Sequence, residues 1–246
     1  MKKPPLPEAE AWLESLNDEL PYIRIEKDNH QISKTSERAR NLLKSIVDDE
    51  NSADSIIQMI REMHDLDLVS ATWRAGPGWA YRTVQRSELN QHHLLSPQYP
   101  KFVQLHTDVW IAYEWNYYRT GRILLHKQLL ECLTRLETMS SATLLLSTIQ
   151  SFKEVSISVI RSLVDEILST VPQSLGDIDR EGKPLGNLPG TTICKGIGGY
   201  FLLWPIRVIK DSPIMSLEQS AAARTVFERI RDCTGMKTTL GEVSAV

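Results

Sequence analysis

At 246 residues the chain is long enough to bury a large core without disulfides or a structural metal. Hydrophobic residues make up 41% and charged residues 24%, and the formal net charge is −3, so no global positive field draws the protein onto phosphate backbones. Cys132, Cys194 and Cys233 are odd in number and scattered. They offer neither a disulfide framework nor zinc spacing, and read as free thiols of an intracellular protein, in cytoplasm or nucleus. The start Met1-Lys2-Lys3-Pro4-Pro5 has no apolar run behind it, and Ile197 to Ile209 is too short and broken to span a bilayer.

The patterning predicts an all-α fold. It is read as one globular domain of about seven to nine helices around a long central aromatic-rich helix, with residues 1–7 as an arm, 8–237 as the domain and 238–246 as a tail. Glu8 to Leu20 reads as a short amphipathic helix stopped by Pro21, and Lys27 to Lys34 as polar loop. Ser36 to Val47 has helical spacing and ends in an exposed turn at Asp48-Asp49-Glu50-Asn51. Ser52 or Asp54 would cap the next helix, whose apolar residues are Ile56, Ile57, Ile60, Met63 and Leu66. Trp73, Gly76, Pro77, Gly78 and Trp79 make a turn, and a polar loop follows through Pro100, with His92-His93 inside it.

The strongest helical signal runs from Phe102 to about Glu137, with Thr107 or Asp108 suited to its first turn and a wide apolar face. Ala142 to Thr170 forms another long helix, and Pro172 to Thr192 a second loop in which Asp177 and Asp179 are expected to be exposed. Gly198 to Ile209 is apolar all round and reads as a buried helix bent at Pro205. Ser216 starts a last amphipathic helix, with Gly235 placed to end it. No segment alternates with period two.

Three segments in order resemble the C-terminal regulatory region of fungal zinc-cluster transcription factors. The first is Asp67-Leu68-Val69-Ser70-Ala71-Thr72-Trp73 with Pro77 and Trp79. The second is Trp115-Asn116-Tyr117-Tyr118-Arg119-Thr120-Gly121-Arg122-Ile123-Leu124-Leu125-His126. The third is Gly198 to Ile206, preceded by Val171-Pro172-Gln173-Ser174-Leu175-Gly176. The resemblance covers about residues 36 to 236. That family holds its DNA-binding helix with a six-cysteine zinc cluster, and here no cysteine precedes Cys132. The resemblance therefore implies a regulatory half standing alone, or its helical scaffold turned to another task.

No nucleotide, hydrolase-elbow or zinc-protease motif is present. Gly196-Ile197-Gly198-Gly199 lacks a preceding strand and is read as close helix packing. Asp48-Asp49-Glu50 is similar to an acidic motif of isoprenoid enzymes, but without a second acidic motif it is read as a solvated turn. His92-His93 is read as a solvated pair rather than a metal site.

Candidate chemistry lies on the long aromatic helix, where Glu114, Arg119, Arg122 and His126 sit among Trp110, Trp115 and Tyr118. Arg122 with His126, and Trp115 with Arg119, are four apart and share faces. If that surface borders a cavity, Glu114 or His126 would act as acid or base and Arg119 would stabilise negative charge. Trp110, Trp115, Tyr118, Tyr200 and Trp204 would then contact a flat organic ligand. The alternative is that the charges tie helices together in buried pairs and that Asn116 is a helix-to-helix hydrogen-bond donor.

Two functions follow. One is a regulatory domain that binds a small organic ligand or protein partner without touching DNA or membrane, with a homodimer left open. The other is a cofactor-free cyclase or isomerase of fungal specialised metabolism. Neither reading calls for a cofactor or a metal.

Overall fold

The computed structural model describes residues 7–16, 21–47, 49–70, 79–89, 101–139, 146–185 and 196–234. The protein is mostly helical, as the patterning predicts. It divides into two compact units, Met1–Gly76 with Thr120–Ile160 and Pro77–Arg119 with Arg161–Val246.

The first unit begins with α1 (Pro7–Glu14) and α2 (Pro21–Ser45). Pro21 opens α2 rather than ending the helix before it. A proline at the first helical position forfeits only an N–H that would be unpaired anyway, and its φ is preset. α2 then runs straight through Lys27 to Lys34, where sequence polarity predicts a loop. Ile23, Ile25, Ile32 and Ala39 give it a buried stripe, and the polar residues between them cover the open side. Lys27 also donates to the Leu16 carbonyl at 3.1 Å.

α3 (Glu50–Ser70) starts earlier than expected. Its cap is Asp49, whose Oδ1 accepts the Ser52 N–H at 2.7 Å, rather than Ser52 or Asp54. Ala53, Ile56, Ile60 and Met63 of α3 pack with Leu125, Leu129, Cys132, Leu133 and Leu136 of α4 (Val109–Glu137). The i, i+3, i+4 spacing that predicts these helices also builds this core. Gly121 lets α2 come close, since a Cβ there would lie 1.9 Å from Asn29 Oδ1.

In the second unit an antiparallel hairpin precedes α4. Its strands, β1 (Arg82–Gln85) and β2 (Phe102–Leu105), pair Thr83 with Gln104 and Val84 with Val103. The long helix therefore begins at Val109, not Phe102, with Asp108 Oδ1 accepting the Trp110 N–H at 2.7 Å. Val103, Gln104 and Leu105 are all buried, so β2 shows no alternation, and period-two reading has nothing to find. Val84, Val103, Leu105 and Ile178 form a small core.

α5 (Leu146–Ser169) contributes Leu163, Val164 and Ile167 to the interior of this unit. Where a loop is expected, Val171–Leu175 forms a buried helical turn, α6, ended by Gly176 in the left-handed conformation at φ 81°. Asp177 follows, and it is buried rather than exposed. Both its oxygens are held by the Arg229 guanidinium, with Nη1 donating to Oδ2 at 2.9 Å. Asp179 makes a local turn by accepting the N–H groups of Glu181 and Lys183.

α7 (Gly196–Lys210) packs on α8 (Leu217–Thr234) and α6. A Cβ on Gly198 would sit 1.7 Å from the Ser174 carbonyl oxygen, so the glycine serves close packing, as read from the sequence. α7 is not buried all round: Ile197, Tyr200 and Trp204 are exposed. α8 opens with a reciprocal cap in which Ser216 Oγ accepts the Gln219 N–H and Gln219 Oε1 accepts the Ser216 N–H. Among the described residues no helix is long and apolar enough to cross a membrane. His92-His93, Trp73, the Gly76-Pro77-Gly78 turn, Cys194 and Gly235 lie outside them.

Candidate functional site

Arg119 is wholly buried in the second unit, and all three guanidinium nitrogens donate. Nε reaches Glu166 Oε2 at 2.9 Å, Nη1 reaches Asn116 Oδ1 at 3.0 Å and Nη2 reaches Gln104 Oε1 at 2.8 Å. Its flat cation lies 5.1 Å from the Trp115 ring and 5.7 Å from the Tyr81 ring. Trp115 is fixed by its indole N–H on the Trp79 carbonyl at 3.0 Å and by an edge contact with Tyr81. Asn116 donates to Thr170 Oγ1 at 2.8 Å, which makes it the helix-to-helix donor expected.

His106 stands beside this cluster, 5.0 Å from the Tyr81 ring. Burial, and then the Arg119 charge, push its imidazole down to about 3, so it is neutral at ordinary pH. Its backbone is clamped on both sides by one amide, for Gln173 accepts the His106 N–H and donates to the His106 carbonyl, each at 2.7 Å.

Arg122 and His126 belong to the first unit and meet one carboxylate. Arg122 grips Asp67 side-on, Nε to Oδ1 at 2.6 Å and Nη2 to Oδ2 at 2.7 Å, and His126 Nε2 lies 3.4 Å from Oδ2. Burial alone would raise the Asp67 carboxyl, but hydrogen bonds and charge from His126 and Arg122 outweigh it and hold the group well below the usual carboxylate range. His126 also lines a cavity of about 280 Å³ with Met63, Leu125, Leu129, Phe152 and Val155. Nearby Cys132 is inert: burial, then the Glu131 charge, push its thiol up to about 12.

The remaining expected site residues separate into two settings. Glu114, Trp115 and Tyr118 are buried. Trp110, Tyr200 and Trp204 are 53%, 61% and 41% exposed, so they form surface rather than core. Trp110 packs on Tyr113 and Phe201, and Phe201 touches Tyr200, giving an aromatic strip that runs from α4 onto α7.

A second cavity, about 470 Å³, opens in the second unit beside the hairpin, α5 and the start of α8. Gln104 and Glu166 of the Arg119 cluster line it, with Phe102 and Asp165. None of these four is a candidate site residue in the sequence, and Asp67 enters there only as the first residue of a resembling segment. The only signal available was a carboxylate inside an otherwise apolar helical stretch, which does not say which arginine it meets. Protein-family models, curated proteins and solved structures were compared with the chain, and none matches.

Proposed function

We propose that this chain is a regulatory helical domain that binds a small organic ligand or a protein partner and does not touch DNA itself, in the manner of the effector region of fungal zinc-cluster transcription factors. The observation that carries this reading is the use made of α4. Arg119 and Arg122 are spent on internal pairs with Glu166 and Asp67, while Trp110 of α4 and Tyr200 and Trp204 of α7 face solvent. Charges locked in buried pairs hold a fold in register, and an exposed aromatic strip is a surface for recognition. The net charge of −3 fits a domain that leaves nucleic acid to another element.

The test is to fuse the chain to an unrelated DNA-binding domain and read a reporter gene in a fungal cell. The fusion is expected to change reporter output, and a Trp110→Ala/Tyr200→Ala/Trp204→Ala variant with unchanged circular dichroism is expected to lose that effect. A fusion that leaves the reporter untouched would sink the reading.

One observation favours a cofactor-free enzyme instead, namely that His126, next to Asp67, borders an apolar cavity. In that case acid–base work falls to His126 alone, because Glu114 lies in the other unit, as does Arg119, whose donors are occupied. Conversion of a metabolite by the wild type but not by His126→Gln would establish the enzyme in place of the regulator.

A further inference from the structure

The larger cavity of the second unit has a prepared polar floor. Gln104 is 5% exposed, and its Oε1 accepts from Arg119. A guanidinium has donors only, so it fixes the amide oxygen inward and turns the Nε2 group away from the arginine. That NH2 donates to no other described residue. Glu166 is held in the same way: Oε2 takes the Arg119 Nε–H, and Oε1 accepts from no described residue. One buried cation thus pins a neutral donor and a charged acceptor side by side, and both residues line the cavity.

The walls narrow the ligand further. Ser162, Ser169 and Thr83 bring hydroxyls, and Ser169 Oγ donates to the Glu166 carbonyl, which keeps its lone pairs open as acceptors. Phe102, 51% exposed, offers a flat apolar face at the mouth. Arg119 offsets the charge of Glu166, and Asp165 and Glu218 are matched by Lys101 and Arg161 in the lining, so the cavity carries no net charge to draw an ionic ligand. The volume of about 470 Å³ lies within the usual range for small-molecule sites, roughly 300–1,000 Å³.

A hydroxyl both donates and accepts, so adjacent hydroxyls match an amide NH2 and a carboxylate oxygen together. The C–H face of a ring or chain that bears them can lie on Phe102. From this complementarity we propose that the cavity binds an uncharged polyhydroxylated molecule of the sugar or sugar-alcohol class, seated on Gln104 and Glu166 and covered by Phe102. The proposal rests on the ligand-binding side of the regulatory reading and supplies the chemistry of its ligand.

The experiment is saturation-transfer NMR of the full chain with glucose, galactose, mannitol and myo-inositol, followed by calorimetry on any that respond. Gln104→Glu keeps an acceptor for Arg119 but removes the free donor, and Phe102→Ala removes only an exposed ring. Saturable binding of at least one polyol is expected, weakened about tenfold by each variant, as loss of a single hydrogen bond or contact face implies. Circular dichroism should be unchanged in both. The proposal falls if none of the four binds, if binding survives both substitutions, or if benzoate displaces the polyol from these residues. A chain that binds no polyol yet drives the reporter through Trp110, Tyr200 and Trp204 loses this inference alone. Polyol binding with an inert reporter fusion keeps the site and removes the regulatory role.

Discussion

α4 carries two buried arginines three residues apart, and the two units use them differently. In the first unit Arg122 closes on one carboxylate, and both Asp67 oxygens are taken. In the second, Arg119 spreads its donors over Glu166, Asn116 and Gln104, which come from three different elements. A bidentate pair concentrates two donors of the guanidinium on one carboxylate and fixes the angle between the two segments it joins. A distributed guanidinium orients several side chains at once and leaves their other atoms to face outward. The first arrangement is a fastener, whereas the second builds a surface.

Substituting each arginine by methionine tests this contrast most severely. Arg119→Met strips three acceptors of their donor and is expected to cost about 3 kcal/mol, the low end for a broken buried pair because Glu166 keeps some solvent. Arg122→Met is expected to cost less, about 2 kcal/mol, because His126 remains beside Asp67. Urea unfolding followed by circular dichroism measures both. Equal losses would erase the distinction.

Acid separates the units next. His106 is held at about 3 in the folded state against an ordinary 6.5, so between these values the unfolded chain binds the extra proton. Stability contributed by the neutral ring is therefore full above pH 6.5 and is lost as pH falls toward 3, by up to about 1.4 kcal/mol per pH unit. Asp67 acts lower: its carboxyl is depressed, so its contribution is present above the ordinary carboxylate range and is lost only below about pH 4. His106→Phe should flatten the stability curve between pH 6.5 and 4 and leave the steeper fall below it. A slope unchanged in His106→Phe would place the acid sensitivity elsewhere.

Packing gives a smaller effect. Gly198→Ala is expected to cost about 1–3 kcal/mol, because the added methyl meets the Ser174 backbone carbonyl, which cannot swing away. Gly121→Ala in the first unit should cost less, since its nearest obstacle is the end of the Asn29 side chain. Thermal unfolding of the two variants side by side checks the order.

How far the sequence reveals this molecule follows the same division. The first-unit core was legible because Ile56, Ile60, Met63, Leu125 and Leu129 repeat at helical spacing and pack locally along their helices. Spacing likewise puts Arg122 and His126 on one face, where both meet Asp67, and Trp115 on the same face as Arg119, whose cation lies over its ring. The hairpin was not legible, because Val103, Gln104 and Leu105 of the four-residue β2 are buried in succession and show no alternation. Neither were Asp67, Gln104 and Glu166, whose roles depend on partners 55, 15 and 47 residues away. Local pattern says that a buried arginine needs acceptors but not which ones. Tyr200 and Trp204 erred in the opposite direction: apolar character suggests core, and only the packing of α7 on α8 shows which side of the helix is left open.

Helix caps offer the finest version of the comparison. In the first unit, α3 is capped by Asp49 alone, on the surface. In the second, the Ser216 and Gln219 side chains cap α8 reciprocally, and Gln219 Nε2 continues to the Arg161 carbonyl at 2.9 Å and Asp165 Oδ1 at 2.6 Å. Ser216→Ala removes one capping acceptor and should cost about 1 kcal/mol. Gln219→Ala also frees α8 from α5 at the edge of the larger cavity, so it should cost more than Ser216→Ala and weaken any polyol binding with it. Asp49→Ala should change stability less than either, because water can replace an exposed cap. If Ser216→Ala proved as costly as Gln219→Ala, the cap would be acting as a plain helix stop, and the link between α8 and the cavity wall would have to be given up.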